Sequence, residues 1–298
     1  MWGSKDWIVR NNYINGVSVA GGLNASGIQA YGVINALVEN NFITNVAIGI
    51  YWKDHFVKSV AERGTWFESE IRYNVINATD RGVLIGVKGS RTVEAGASYI
   101  HHNIIYGLSS DGAGIAGAMS AAFGVSAPLR IEHNLVDGSG LNTRAFSVDG
   151  HESVSFKGNI STKTAVDVEL SSYSANRSVK LTSSNYNVFD ASTVLMLDRY
   201  STTTQAKNFS TLLSWQKATS LLSIVTLAFD RPDLNSVSAS TSQLFIDAGN
   251  RNYKYRPGSP AIGMMPDGTN AGPYQNGDEV IGLIAPIIDE RPKPPKPQ

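Results

Sequence analysis

IEHNLVDGSG, residues 131–140, is one of a family of near-copies within the chain, and its reading decides the fold. IVRNNYINGV opens at Ile8, LVENNFITNV at Leu37, IRYNVINATD at Ile71 and IHHNIIYGLS at Ile100. FKGNISTKTA follows at Phe156 and, more loosely, SSNYNVFDAS at Ser183. Each phrase sets an asparagine just before an apolar pair or near-pair. These are Asn12, Asn41, Asn74, Asn103, Asn134, Asn159 and Asn187, with successive spacings of 29, 33, 29, 31, 25 and 28 residues. A period in the range of about 20–50 residues marks a solenoid, a propeller or an array. A second phrase keeps the same register: GIQAYG from Gly27, GIYWKD from Gly49, GVLIGVKG from Gly82 and GAGIAGAM from Gly112, then AFSVDG from Ala145, VDVELS from Val166 and VLMLDR from Val194. Each unit thus carries at least two short strands joined by turns. Propeller blades of four strands need longer units, and the fixed leucine offsets of leucine-rich repeats are absent.

A parallel β-helix remains, in which each turn of the chain is one rung and strands stack on their equivalents about 4.8 Å apart. An asparagine repeated at one inward turn position can bond the asparagines above and below it. Such a ladder satisfies amides and turn backbone that would otherwise be buried unpaired. Asn134 is therefore read as a rung of a structural ladder.

On these phrases the chain resembles the right-handed parallel β-helix proteins of the pectate-lyase-like superfamily, with rungs over roughly residues 6–199. FSTLLSWQKATS (209–220) and LFIDAGNRNYKYRPGSPAIGMM (244–265) are similar to the closing segment of secreted bacterial β-helix proteins. There a short amphipathic helix and a GSPAI turn cover the last open rung. Phe209, Leu212, Leu213 and Trp215 are expected to form one apolar helical face for that purpose. The resemblance implies an all-β chain, a right-handed single-stranded parallel β-helix with an Asn ladder and a C-terminal capping segment. It divides into about seven rungs over 1–200, a capping segment over 201–285 and a proline-rich tail over 286–298, ending DERPKPPKPQ. No sequence for an N-terminal cap is read before the first rung, so a truncated chain is expected, or a first rung covered by a partner or a second copy.

Composition narrows the partners. Among 298 residues, 25 Lys and Arg balance 25 Asp and Glu, so no long-range field favours nucleic acid or an anionic membrane surface. No apolar run approaches the roughly 20 residues of a spanning helix, and the N-terminus lacks the layout of a signal peptide. The chain has no cysteine, which removes disulfides and thiolate-bound metals. A charged fraction of 17% with abundant Gly, Ser, Asn and Thr suits a turn-rich β protein of the extracellular space or cell surface. Walker loops, dinucleotide fingerprints and HExxH motifs are absent.

In the second strand type, side chains alternate in and out. With Ile28, Ile50, Val83, Ile115, Phe146 and Val166 inward, one outward column reads Gln29, Tyr51, Leu84, Ala116, Ser147, Asp167. The next reads Tyr31, Lys53, Gly86, Ala118, Asp149, Glu169. Such a face, with aromatics on early rungs and carboxylates on later ones, suits a sugar chain lying along the axis. The 55–67 loop, carrying Trp66, would wall that groove. Tyr31, Tyr51, Trp66, Asp149, His151, Asp167 and Glu169 are the candidate binding residues.

Two sets of side chains offer chemistry. Lys53 and His55, with Lys88 and Arg81 on the following rung, supply a base and a cation for β-elimination of a uronic-acid polymer. VLIGVKGS is similar to the strand bearing the lysine base of calcium-dependent β-helix lyases of alginate and dermatan, whose calcium-binding glutamates are replaced here by Arg81 and Val83. Asp149, Asp167 and Glu169, with His151 and Glu152, form the alternative: a glycosidase acid–base pair, or a Ca²⁺ site. No cofactor is required by either reading. His101, His102 and His133 read as ordinary outward turn residues, and Arg81, Asp111 and Arg144 as a surface ion ladder. The expected partner is a polysaccharide, an acidic glycan before a neutral one. A lyase is expected before a hydrolase, a glycan-binding or adhesin-like β-helix without turnover is the next alternative, and a purely structural solenoid is the third.

Overall fold

The computed structural model describes residues 5–16, 25–31, 33–54, 69–87, 98–119, 128–140, 142–151, 153–172, 179–190, 193–199, 207–218 and 225–283. The first two rungs set the pattern with β1 (Lys5–Arg10), β2 (Tyr13–Asn15), β3 (Ser26–Tyr31), β4 (Ile34–Glu39) and β5 (Phe42–Asp54). β1 pairs in parallel with β4, while β2 and β3 both pair in parallel with β5. Repetition builds an eight-stranded parallel sheet on the side preceding the asparagines and a 14-stranded sheet on the sides following them. The architecture is a parallel β-solenoid. Its interior is one continuous apolar column in which Val38, Ile71, Ile100 and Ile131 stack at 0% exposure.

The asparagines form the expected ladder. Nδ2 of Asn41 donates to Oδ1 of Asn74 at 2.9 Å, Asn74 to Asn103 at 2.9 Å and Asn103 to Asn134 at 3.0 Å. The second Nδ2 hydrogen goes to a carbonyl one rung back, Val38 for Asn74 and Ile71 for Asn103. The backbone N–H shares the same Oδ1 acceptor, as from Asn74 to Asn103 at 3.0 Å. Every buried amide is thereby satisfied. The residue before each ladder asparagine turns the corner in the left-handed region: Asn11, Asn40, Tyr73, His102, His133, Gly158 and Tyr186 have φ between 53° and 64°. Asn and His tolerate that conformation better than most side chains.

The following apolar pair serves two cores at once. In each pair the second residue points inward: Ile43, Ile76, Ile105 and Val136 are at 0% exposure. The first points outward, and Ile104, Leu135, Ile160 and Val188 form a second buried cluster with Leu244, Phe245, Tyr253, Ala261, Met265 and Ala271. The inward aliphatics face Gly27, Gly49, Gly82 and Gly114, where an added Cβ would fall 2.5, 2.3, 2.4 and 2.5 Å from a side-chain carbon of Ile43, Ile76, Ile105 and Val136. Large aliphatic and glycine fill one space between them.

The C-terminal segment divides its work, which differs from the expectation that all of it covers the last rung. The helix α1 (Leu212–Gln216) does cover that end, with Leu212, Trp215 and Phe209 in the main core. Phe209 comes from a strand, however, and Leu213 is 57% exposed, so neither completes a helical face. Residues 237–283 form a strap along the flank, running back beside the ladder turns. Gly272 N–H donates to Gly158 O at 2.6 Å, Gly282 N–H to Tyr73 O at 2.7 Å and Asn40 Nδ2 to Val280 O at 2.9 Å. The GSPAI stretch belongs to this strap, with Ala261 fully buried against the flank. The 286–298 tail lies outside the described residues.

Candidate functional site

The second outward face is less open than the sequence pattern implies. Its register follows the expected columns through five rungs: Gln29, Tyr51, Leu84, Ala116 and Ser147 align. On the sixth rung Phe146 registers with Val168, and Ser147 with Glu169, so the expected inward residue Val166 is replaced by Val168. Asp167 therefore does not sit in the outward column. It is fully buried and accepts hydrogen bonds from Ser161 and from Thr164 Oγ1. Ser161 registers with Val136, where the inward aliphatic column turns small and polar to receive the carboxylate. A buried, hydrogen-bonded Asp167 is a packing element and offers no groove surface.

The other candidates on this face scatter. Tyr51 is buried with Ile48, Leu84, Ala113 and Ala116 in a small cluster of its own, so it presents no open platform. Glu169 is half-buried, accepts from Ser147 Oγ at 2.8 Å and lies 2.8 Å from Arg144 Nε, an ion pair of proximity whose N–H points off the line to the oxygen. Asp149 is half-buried and registers with Ala118 and Ser171, while His151 is buried at the turn that follows. Tyr31 and Lys53 are placed by register alone, Tyr31 opposite Lys53 and Lys53 opposite Gly86. His55, Trp66, Lys88 and Glu152 lie outside the described residues. The expected ion ladder does not form: Arg81 and Arg144 both register with Ala113, Arg81 pairs with Asp80, and Asp111 accepts from Asn142 at 2.9 Å. Among the described residues no three acidic or histidine side chains converge on a metal-sized gap.

The organised polar surface is on the eight-stranded sheet. One outward column reads Ile8, Leu37, Glu70, Tyr99, Arg130, Ser155, and its neighbour reads Arg10, Glu39, Arg72, His101, Glu132, Lys157. The second column sets basic and acidic side chains on neighbouring rungs with a neutral His101 between Arg72 and Glu132, and bonds run along the column, along the strands and between the two columns. Arg72 donates to Glu39 at 2.8 Å and to Glu70 at 2.7 Å, His101 Nε2 lies 2.9 Å from Glu70, and Arg130 reaches Glu132 at 2.9 Å. Arg130 also lies over the Tyr99 ring, 4.2 Å from its centroid, and Tyr99 stacks on His101 at 3.9 Å. Arg72 is raised above the usual guanidinium range: burial opposes the charge, and the Glu39 and Glu70 carboxylates outweigh it. Burial would likewise raise Glu132, but bonds from Arg130, Ser155 and Tyr99 hold it below the ordinary carboxylate value. A groove of about 480 Å³ crosses this face, lined by Asp6, Trp7, Leu37, Glu70, Tyr99 and Arg130 among others. It combines apolar walls, two aromatic side chains and fixed charges of both signs.

Beside it, the histidines read as outward turn residues are buried. His101, His102 and His133 are 5%, 5% and 6% exposed. The Nδ1 atoms of His101 and His102 lie 2.7 Å apart, a hydrogen bond in which one ring donates and the other accepts, and His102 stacks on His133 with centroids 5.0 Å apart. The strap closes over them, Gln275 Oε1 lying 3.0 Å from His102 Nε2. Burial, reinforced by the neighbouring His102, pushes His101 down to about 3 and His133 to about 4, and burial also lowers His102.

This polar column was missed although it stands in the sequence. Each member lies two residues before a ladder asparagine, in VRNN, VENN, IRYN, IHHN, IEHN and FKGN. The Val168 register was legible too: Ile50 and Val83 stand nine residues after Asn41 and Asn74, as Val168 does after Asn159. No family model, curated protein or solved structure matches this chain. A parallel β-solenoid is a fold consistent with carbohydrate-active proteins.

Proposed function

We propose that the protein engages an extended polysaccharide along the outer face of its eight-stranded sheet. The observation that carries this reading is the groove of about 480 Å³ across successive rungs, with Arg130 stacked over Tyr99 in its lining. Pyranose rings present flat C–H faces and hydroxyl edges. An aromatic ring and a planar guanidinium match the faces, and Asp6 and Glu70 match the edges. Arg130 bonds Glu132 through Nε and Nη2, yet 49% of its side chain is exposed, and this fixed cation favours an acidic glycan. The test is calorimetric titration with acidic and neutral oligosaccharides. Tyr99→Ala and Arg130→Ala are expected to weaken binding at least about tenfold, a loss of about 1.4 kcal/mol. Absence of binding in every glycan class, or unchanged affinity in both variants, overturns the reading.

Turnover by β-elimination is a second reading, and the register of Lys53 against Gly86, two residues before Lys88, favours it. In that reading Lys53 or Lys88 takes the proton alpha to a uronate carboxylate and Arg81 stabilises the enolate. His55 is held in reserve as an alternative base. Ultraviolet absorbance of an unsaturated product on acidic polysaccharides, with and without Ca²⁺, tests it. Loss of the product in Lys53→Ala and Lys88→Ala supports the assignment, and unchanged rates sink it. Reducing ends without that absorbance point instead to hydrolysis at Asp149 and Glu169.

A further inference from the structure

We infer that the groove takes a glycan that is acidic at one end only, with a sugar carboxylate at Arg130 and neutral sugars reaching back over Glu70 and Leu37. The inference rests on the glycan reading above and specifies the charge pattern of that ligand. Among the described residues Arg130 is the only cation in the groove lining. Glu132 takes the Nε and Nη2 side of its guanidinium, at 3.2 and 2.9 Å. The Nη1–Nη2 edge, with one N–H on each nitrogen, is left to a planar anion, and a carboxylate matches it in bidentate fashion.

Charge is divided along the face. Before Tyr99, the groove lining and the two outward columns carry Asp6, Glu39 and Glu70 against Arg10 and Arg72. After Tyr99 the columns carry Arg130 and Lys157 against Glu132, and the exposed Lys180 lies in the next strand, Val179–Asn185. Arg72 bonds both Glu39 and Glu70, yet 37% of the Glu70 side chain stays exposed. Rungs repeat about every 4.8 Å, so Glu70 and Arg130, each one rung from Tyr99, stand about 10 Å apart along the column. A pyranose in an extended chain advances by about one such spacing. With one carboxylate at Arg130, the next on the same side of the chain falls over Glu70, where like charge opposes it. Beyond Glu70 the column offers Leu37, which gives a carboxylate no partner. A polyuronate, or a glycan with an acid at every second sugar, meets this opposition. A uronate followed by neutral sugars avoids it, and its acid end is drawn toward Arg130 and Lys157.

The experiment is calorimetric titration with oligosaccharides of equal length: a neutral chain ending in a single uronate, a chain of uronates throughout, and a chain of neutral sugars throughout. Each is titrated into the intact chain and into Tyr99→Ala, and the difference isolates the groove from any other surface. The single-uronate chain is expected to bind at least about tenfold more tightly than either of the others. Glu70→Gln keeps an acceptor for Arg72 and removes the charge. It is expected to narrow the gap between the single-uronate and all-uronate chains at least about threefold. An all-uronate or neutral chain that binds the native groove as tightly as the single-uronate chain overturns the charge pattern and leaves the glycan reading standing. An unchanged gap in folded Glu70→Gln overturns it as well. Absence of groove binding by every chain overturns both. The ranking is read on the native protein, so it decides the matter whether or not Glu70→Gln folds.

Discussion

The two ends of the solenoid solve the same problem differently. At the C-terminal end the ladder finishes on a carboxylate: Asn187 Nδ2 donates to Asp233 Oδ1 at 2.8 Å and Asn187 N–H to Ser236 Oγ at 2.8 Å. Asp233 also accepts from Trp215 Nε1 at 2.8 Å, from Ser236 Oγ at 2.6 Å and from Ser184 Oγ, and it is 1% exposed. Acceptor oxygens replace the amide that the next rung would have supplied, and Trp215 plugs the core above them. At the first rung Asn12 donates to Asn41 at 2.9 Å in the ordinary way, but its other hydrogen reaches only the Arg10 carbonyl, and the residue is exposed. A rung is stable because its polar groups are met from both sides. The closed end supplies the missing side from within the chain, whereas at the first described rung no described residue supplies it.

The largest effect is expected at the closed end. Asp233→Ala removes one acceptor group from four donors that remain buried, and each orphaned donor costs about 1–3 kcal/mol. With partial rearrangement, chemical denaturation should show a loss of about 4 kcal/mol or more. A loss under about 1 kcal/mol would show that this end is not a closed one. In mid-ladder, Asn134→Ala takes the Oδ1 acceptor from the Asn103 backbone N–H and the Nδ2 donor from the Ile100 and Glu132 carbonyls, while Asn159 Oδ1 keeps only the backbone N–H of residue 134. A loss of about 3 kcal/mol is expected in the same assay. The matching Asn12→Ala at the first described rung should cost less than about 1 kcal/mol, because water replaces the missing partner there. Equal losses at Asn12 and Asn134 would erase the distinction between end and interior.

The flank gives a pH test of intermediate size. His101, His102 and His133 are held neutral in the folded state, with values below the ordinary 6.5. The unfolded chain binds more protons below pH 6.5, so their contribution is full above that pH. It is lost as pH falls toward 4, and for His101 toward 3. Between pH 6.5 and 4.5 the loss should reach about 2 kcal/mol. The strap over the histidines should open first, seen as faster hydrogen exchange at Gly272 and Gly282 after correction for the intrinsic rate. A His102→Asn, His133→Asn double variant keeps side chains that tolerate left-handed φ and should flatten the profile. A native profile already flat over that range would remove the histidines from the strap's stability.

Much of the molecule was legible from the asparagine period alone. An Asn at one turn position every 25–33 residues has few physical uses other than stacking on itself, so the ladder and the solenoid followed directly. The inward residues Ile28, Ile50, Val83, Ile115 and Phe146 followed from strand alternation, and all are buried. The candidate site was less legible. Alternation says which side chains point out of the solenoid and not whether that surface meets water, so Tyr51 and Leu84 were read as open and are covered. Asp167 falls outward when Val166 is taken as the inward residue, but the register puts Val168 there and Ser161 receives the Asp167 carboxylate.

The apolar pair after each asparagine shows the same division most clearly. The sequence determined that both residues of Ile104–Ile105 or Leu135–Val136 are apolar and therefore need covering. Strand geometry allows only one of each pair to enter the solenoid. What covers the other was decided by tertiary structure, when residues 237–283 laid Phe245, Tyr253 and Met265 along the outward members. Local periodicity encodes direction. It carries no record of which distant segment, more than a hundred residues away for Ile104 and Phe245, returns to take up the surface it leaves exposed.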